Sequence, residues 1–106
     1  MNGEPLIYRH YKKSQTSRIT IPKSIARSLN WKDKDAIHVE YMVKQNKNGI
    51  FIFKNSGGDI VKYNSRISTI TIPISIARAL HWKDQDHIFL EFKTAHKVKG
   101  LFLYKK

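Results

Sequence analysis

Histidines and carboxylates close together are the residues most able to do chemistry in a chain without cysteine, because they bind metals and carry protons near neutral pH. Five histidines occur, at 10, 38, 81, 87 and 96, and only His81, Asp84, Asp86 and His87 cluster. Their spacing follows no zinc pattern, and no cysteine is present to supply a thiolate ligand, a catalytic nucleophile or a disulfide. No phosphate-binding loop or nucleophile elbow occurs either. The expectation is a protein that is not an enzyme, has no small-molecule substrate, and holds no metal or cofactor. The remaining chemistry-bearing residues are cations. Twenty Lys and Arg stand against eight Asp and Glu, a formal net charge of +12 over 106 residues. Such an excess raises the potential over the whole surface and predicts a polyanionic partner, with nucleic acid foremost.

A duplication positions these cations. Residues 19 to 41, ITIPKSIARSLNWKDKDAIHVEY, match residues 70 to 92, ITIPISIARALHWKDQDHIFLEF, at a constant offset of 51 with 15 identities in 23 positions. The same offset pairs Gly49-Ile50-Phe51-Ile52-Phe53-Lys54 with Gly100-Leu101-Phe102-Leu103-Tyr104-Lys105. Of the histidine and aspartate cluster, only the aspartates recur, as Asp33 and Asp35. Upstream, Ile7-Tyr8-Arg9 resembles Ile60-Val61-Lys62 when one or two residues are inserted in the first copy, which predicts a loop of variable length. Two repeats are too few for a solenoid, and each half alone would bury little surface, so the halves are expected to share one core. Repeat one spans 5–54, the linker Asn55-Ser56-Gly57-Gly58 spans 55–58, and repeat two spans 59–106, all within one intertwined domain over 1–106.

Each copy reads as mostly β with one short helix. Leu6 to Tyr11 and Ile60 to Tyr63 open the copies as strands, and each pairs with an ITIP strand to make a hairpin. In Arg18-Ile19-Thr20-Ile21 the alternation sends Ile19 and Ile21 inward and Arg18 and Thr20 outward. Pro22 cannot donate to a ladder but suits the first turn of a helix, predicted over 22–29. Ile25 and Leu29 form its apolar stripe, and Lys23 and Arg27, also four apart, lie on a second, cationic face. Trp31 and Trp82 are expected in the core, closing helix against sheet. The turns Lys32-Asp33-Lys34-Asp35 and Lys83-Asp84-Gln85-Asp86 should place an aspartate just before the next strand. Strands at 36–43 and 50–54, with counterparts at 87–94 and 101–105, complete a β-β-α-β-β pattern in each repeat.

The strand-Ile-Pro-helix-turn-Asp-strand motif, as SRITIPKSIARSLNWKDKDAIHVEY and TITIPISIARALHWKDQDHIFLEF, resembles the SpoVT/AbrB family of swapped-hairpin transcription factors. With the final hairpin, the resemblance covers nearly all of both copies. It implies an AbrB-like β-barrel in which one chain acts as a pseudo-dimer, doing the work of two interleaved subunits. It also implies a basic DNA-facing surface formed by the first hairpin and the helix end. In copy one that surface maps onto Arg9, Lys12, Lys13, Arg18, Lys23 and Arg27, and in copy two onto Lys62, Arg66 and Arg78. The chain departs from the family where members have Leu-Gly at the helix end, having Leu29-Asn30 and Leu80-His81. Histidine adopts a left-handed conformation less readily than asparagine, so the second helix is expected to end differently. The Gly-Asp turn of members is Lys34-Asp35 and Gln85-Asp86 here.

The function implied is a double-stranded DNA-binding transcriptional regulator, sequence-specific or loosely specific, acting by repression. Arg18 is matched by Thr69 and Lys23 by Ile74, so the first copy should make more of the phosphate and base contacts at an asymmetric site, with Arg18 and Arg27 in the groove. The alternatives are an antitoxin-type autoregulator, disfavoured because Tyr104-Lys105-Lys106 follows the last strand with no acidic tail, and a nucleoid-type architectural protein. RNA binding is less supported, since most aromatics fall on strand core positions. No apolar run approaches the roughly 18 residues of a membrane helix, and the N-terminus lacks a secretory signal's order. A cytoplasmic, nucleoid-associated monomer follows, with Ile74 as an apolar contact for further homodimerisation.

Overall fold

The computed structural model describes residues 6–13, 16–54, 60–95 and 97–105. The expected linker at 55–58 lies outside the described residues. Ten elements follow in order: β1 (Leu6–Tyr11), β2 (Thr16–Thr20), α1 (Lys23–Ser28), β3 (Ala36–Lys44), β4 (Lys47–Lys54), β5 (Ile60–Lys62), β6 (Thr69–Thr71), α2 (Ile74–Ala79), β7 (His87–Ala95) and β8 (Val98–Lys105). Each half is thus β-β-α-β-β. Period-two burial fits the strand reading, with Ile19 and Ile21 fully buried and Arg18 and Thr20 exposed.

The eight strands form one antiparallel sheet in the order β5-β3-β4-β8-β7-β1-β2-β6. A bridge between Asn64 and Thr69 joins its two ends, so the sheet is a nearly closed barrel. Ile19, Ile21, Ile37, Ile50 and Ile52 fill the interior with repeat mates Ile70, Ile72, Ile88, Leu101 and Leu103. The halves exchange strands. β1 pairs with β7 of the second half, and β5 of the second half pairs with β3 of the first. The halves also meet directly along β2–β6, where Ile19 opposes Ile70, and along β4–β8, where Phe51 opposes Phe102. Both pairs join residues 51 apart, so a local two-fold relation passes through them.

Tyr8 and Tyr63 hold equivalent places. Tyr8 exchanges backbone hydrogen bonds with Gln85 and Asp86, as Tyr63 does with Lys34 and Asp35, and each ring packs edge-on against a tryptophan, Trp82 and Trp31 respectively. The first strands therefore correspond at an offset of 55, and the β1–β2 connection is four residues longer than its mate, not one or two. The aligned apolar residues had no register marker until the tyrosine contacts supplied one. Arg9 consequently corresponds to Asn64, and Tyr11 to Arg66.

The helices end alike, contrary to the expectation for His81. His81 has φ 59° and Asn30 φ 62°, both left-handed. At each end the same two hydrogen bonds close the turn: Asn30 N–H to Arg27 O and Trp31 N–H to Ala26 O, matched by His81 to Arg78 and Trp82 to Ala77. Burying the tryptophan next in sequence, with only 6% of either exposed, fixes the chain path and overrides histidine's reluctance. Gly49 and Gly100 serve the β4–β8 seam, since a Cβ on either would stand 2.1 or 2.2 Å from a carbonyl oxygen of the facing strand. Their missing side chains let Phe102 and Phe51 lie across them as a second apolar layer outside the barrel.

Candidate nucleic-acid interface

All nine basic residues anticipated at the interface are exposed: Arg9, Lys12, Lys13, Arg18, Lys23, Arg27, Lys62, Arg66 and Arg78. The order β1-β2-β6-β5 makes the two first hairpins neighbours in one ladder, so their outward residues form one surface on the side away from Phe51 and Phe102. Across it run two repeat-related rows. Arg9 opposes Arg18, which opposes Thr71 on β6. Asn64 opposes Thr69, which opposes Thr20 on β2; Asn64 and Thr20 are exposed and Thr69 is buried between them, only 9% exposed.

Strand exchange regroups the cations. Lys12 of the first half shares a cleft of about 280 Å³ with Ile74, Arg78 and Lys83 of the second. The His10 N–H donates to Asp84 Oδ1 at 2.8 Å beside it. On the other side Lys62 and Arg66 share a cleft of about 460 Å³ with Lys34 of the first half. Here the Ser65 N–H donates to Asp33 Oδ1 at 3.0 Å and holds that carboxyl below its ordinary pKa. Helix α1 lies between Ile21, whose carbonyl accepts from Ser68 Oγ, and Trp31, which packs on Tyr63, so it flanks the second hairpin. Arg9, Lys12, Lys13, Arg18 and Arg78 thus make one end, five cations, and Lys23, Arg27, Lys62 and Arg66 the other, four. Copy one supplies six of the nine, but because each hairpin is completed by the other copy's helix, these six are divided between the two ends. Ile74 is half-buried and lines the first of these clefts.

No family model, curated protein or solved structure matches this chain.

Three of the described acids, Asp35, Asp86 and Glu91, engage lysines outside the anticipated surface. Lys54 Nζ lies 3.1 Å from Asp35 Oδ2 and donates to Asn30 O, and Lys105 Nζ lies 3.1 Å from Asp86 Oδ2 and donates to His81 O. These repeat-related contacts tie the last strand of each half to its helix end. The Lys32 N–H, with Lys54, keeps Asp35 below its ordinary pKa. Burial pulls Asp86 upward, but the Lys83 N–H and Lys105 outweigh it and the net shift is downward. Glu91 is lowered chiefly by Lys44, which donates to it at 2.8 Å. Among the described residues, the interface cations other than Lys12 have no carboxylate partner within ion-pair distance, and no group of three or more His, Asp or Glu is placed to hold a metal.

The sequence reading missed Tyr11, Lys34, Lys83 and Asn64. Tyr11 is 45% exposed with the Arg18 guanidinium 5.2 Å from its ring centre, and its signal was an aromatic at the end of an outward-facing run. Lys34 and Lys83 join the surface through contacts between halves, which no local pattern encodes, and Asn64 joins it through its bridge to Thr69 within the second half.

Proposed function

We propose that this protein is a double-stranded DNA-binding module of the swapped-hairpin type, one chain supplying both halves, and that it regulates transcription by occupying its site. The observation that carries this reading is the separation of charge. Acids pair with Lys44, Lys47, Lys54 and Lys105, while Arg9, Lys13, Arg18, Lys23, Arg27, Lys62, Arg66 and Arg78 have no carboxylate within ion-pair distance among the described residues, and the two aspartates beside the clefts, Asp33 and Asp84, each accept from a backbone N–H. Setting Arg9 directly opposite Arg18 costs stability in the absence of an anion, as like charges across a ladder do. A phosphate backbone removes that cost and gains from counterion release. The strand exchange between repeats supports the swapped-hairpin part. Extents of 32 × 32 × 28 Å match a footprint of about one helical turn of duplex, which spans roughly 34 Å.

Affinity for duplex DNA measured across a salt titration tests the reading. The logarithm of the binding constant should fall linearly with the logarithm of salt, and Lys62→Ala or Lys23→Ala should each reduce the slope by about 0.9. Lys99→Ala, on the β7–β8 hairpin, removes the same charge and should leave the slope nearly unchanged. Equal effects of all three substitutions would overturn the assignment of the surface.

A further inference from the structure

Resting on the reading of this surface as a duplex-binding one, we infer that the protein recognises a non-palindromic site and binds it in one orientation, with guanines read by Arg9 and Arg18 at one end and A·T pairs at the Asn64 end, where Thr69, the mate of Arg18, is buried. The two rows crossing the ladder occupy equivalent places about the local two-fold relation through Ile19 and Ile70, yet their chemistry differs. One is Arg9, Arg18, Thr71, and the other is Asn64, Thr69, Thr20.

A two-stranded ribbon fits the major groove, where each base pair shows a distinct set of donors and acceptors. An arginine forms two hydrogen bonds with guanine O6 and N7, asparagine pairs likewise with adenine N7 and N6, and a threonine methyl packs on the thymine methyl. Identical rows would select a palindrome, as a homodimer does. Unlike rows select unlike half-sites. Preorganisation reinforces the difference, because the Tyr11 ring under the Arg18 guanidinium limits its freedom, and Arg66 stands where the second half would need that ring. The hairpin bearing the arginines also has the longer connection, with Lys12 and Lys13, which adds phosphate contacts at the same end.

Absence of cysteine makes the test direct. A consensus is first selected from random duplexes. Ser14→Cys, in the β1–β2 connection, and Ile67→Cys, in the turn between β5 and β6, are then each labelled with a tethered iron chelate that cleaves nearby DNA. The consensus should be guanine-containing at one end and A·T at the other, with the Ser14 probe cutting only beside the guanines and the Ile67 probe only at the opposite end. Arg18→Ala should lower affinity for the selected duplex about tenfold, and for random duplex about twofold. A combined Arg9→Asn, Arg18→Thr, Asn64→Arg, Thr69→Arg variant should exchange the two cleavage patterns. Where circular dichroism shows that variant unfolded, Arg9→Asn with Arg18→Thr replaces it, and cleavage by each probe should then become two-sided. A palindromic consensus, or two-sided cutting by both probes on the unaltered rows, overturns the inference and leaves duplex binding standing. Failure to bind any duplex at low salt instead overturns the reading on which it rests.

Discussion

His81 shows how a single backbone angle can outlast an unsuitable side chain. A residue other than glycine in the left-handed region costs about 1–2 kcal/mol, and asparagine and aspartate are better suited to it than histidine. The chain accepts this at His81 because the next residue, Trp82, must turn inward and because two hydrogen bonds need the turn. The His81 carbonyl, not its ring, meets Lys105. His81→Gly should therefore keep every named contact, relieve the strain, and regain more than glycine's added unfolded-state entropy removes. The expected gain is about 0.5 kcal/mol, read as a rise of roughly 2–4 °C in the thermal midpoint. A midpoint lowered by the substitution would mean that the imidazole itself supports the fold. Lys34 and Gln85, at φ 66° and 71°, stand in the same relation to glycine, and the Gly-Asp turn of the resembled family was the sequence's sign of it.

Elements were legible in the sequence wherever one face of a segment meets the core. Alternation at Ile19 and Ile21 marked β2, proline marked each helix start, and the tryptophans marked the corners. What stayed hidden was which strand pairs with which, since Leu6 against Ile88 and Val61 against Ile37 are contacts between halves. Hidden with it were the offset of 55 in the first strands and the regrouping of cations into two mixed ends. The lysines that serve structure looked, by charge alone, like those exposed on the first hairpins and helices. Lys54 and Lys105 each join a strand end to an aspartate and a helix-end carbonyl, which leads to a pH dependence. Asp35 and Asp86 have folded pKa values below the ordinary carboxylate value, so their contribution is complete above the unfolded pKa and is lost as pH falls through it toward the folded value. Thermal midpoints should be level from pH 7 to about 5 and fall below about pH 4. An Asp35→Asn, Asp86→Asn variant should melt lower at pH 7 and show a shallower acid decline. An identical decline in the variant would move the effect to Glu91 or Asp33.

For the whole molecule, duplication within one chain replaces an association step with a covalent one. β1 has its outer partner in β7, β5 has its partner in β3, and the β4–β8 seam joins the halves through Phe51 and Phe102. A fragment of residues 1–54 thus lacks the strands that flank β1, β2 and β4, and would leave Ile19, Ile50 and Ile52 facing water. Burying each of those side chains is worth about 1.5–3 kcal/mol, comparable with a large share of a small domain's net stability. Such a fragment should not fold as a monomer. Because the exchanged contacts are reciprocal, however, a second copy of 1–54 can supply what the missing half did, with β4 pairing its own mate through Phe51 and Gly49. Light scattering should give a dimeric mass for the folded fragment, with melting that shifts upward with concentration as linkage requires. Dimerisation would place Arg18 in both rows, against Thr20 where Arg18 now meets Thr71, so the fragment should select a palindrome with guanines at both ends. A folded monomeric fragment would show that each half has its own core and that strand exchange is incidental to stability.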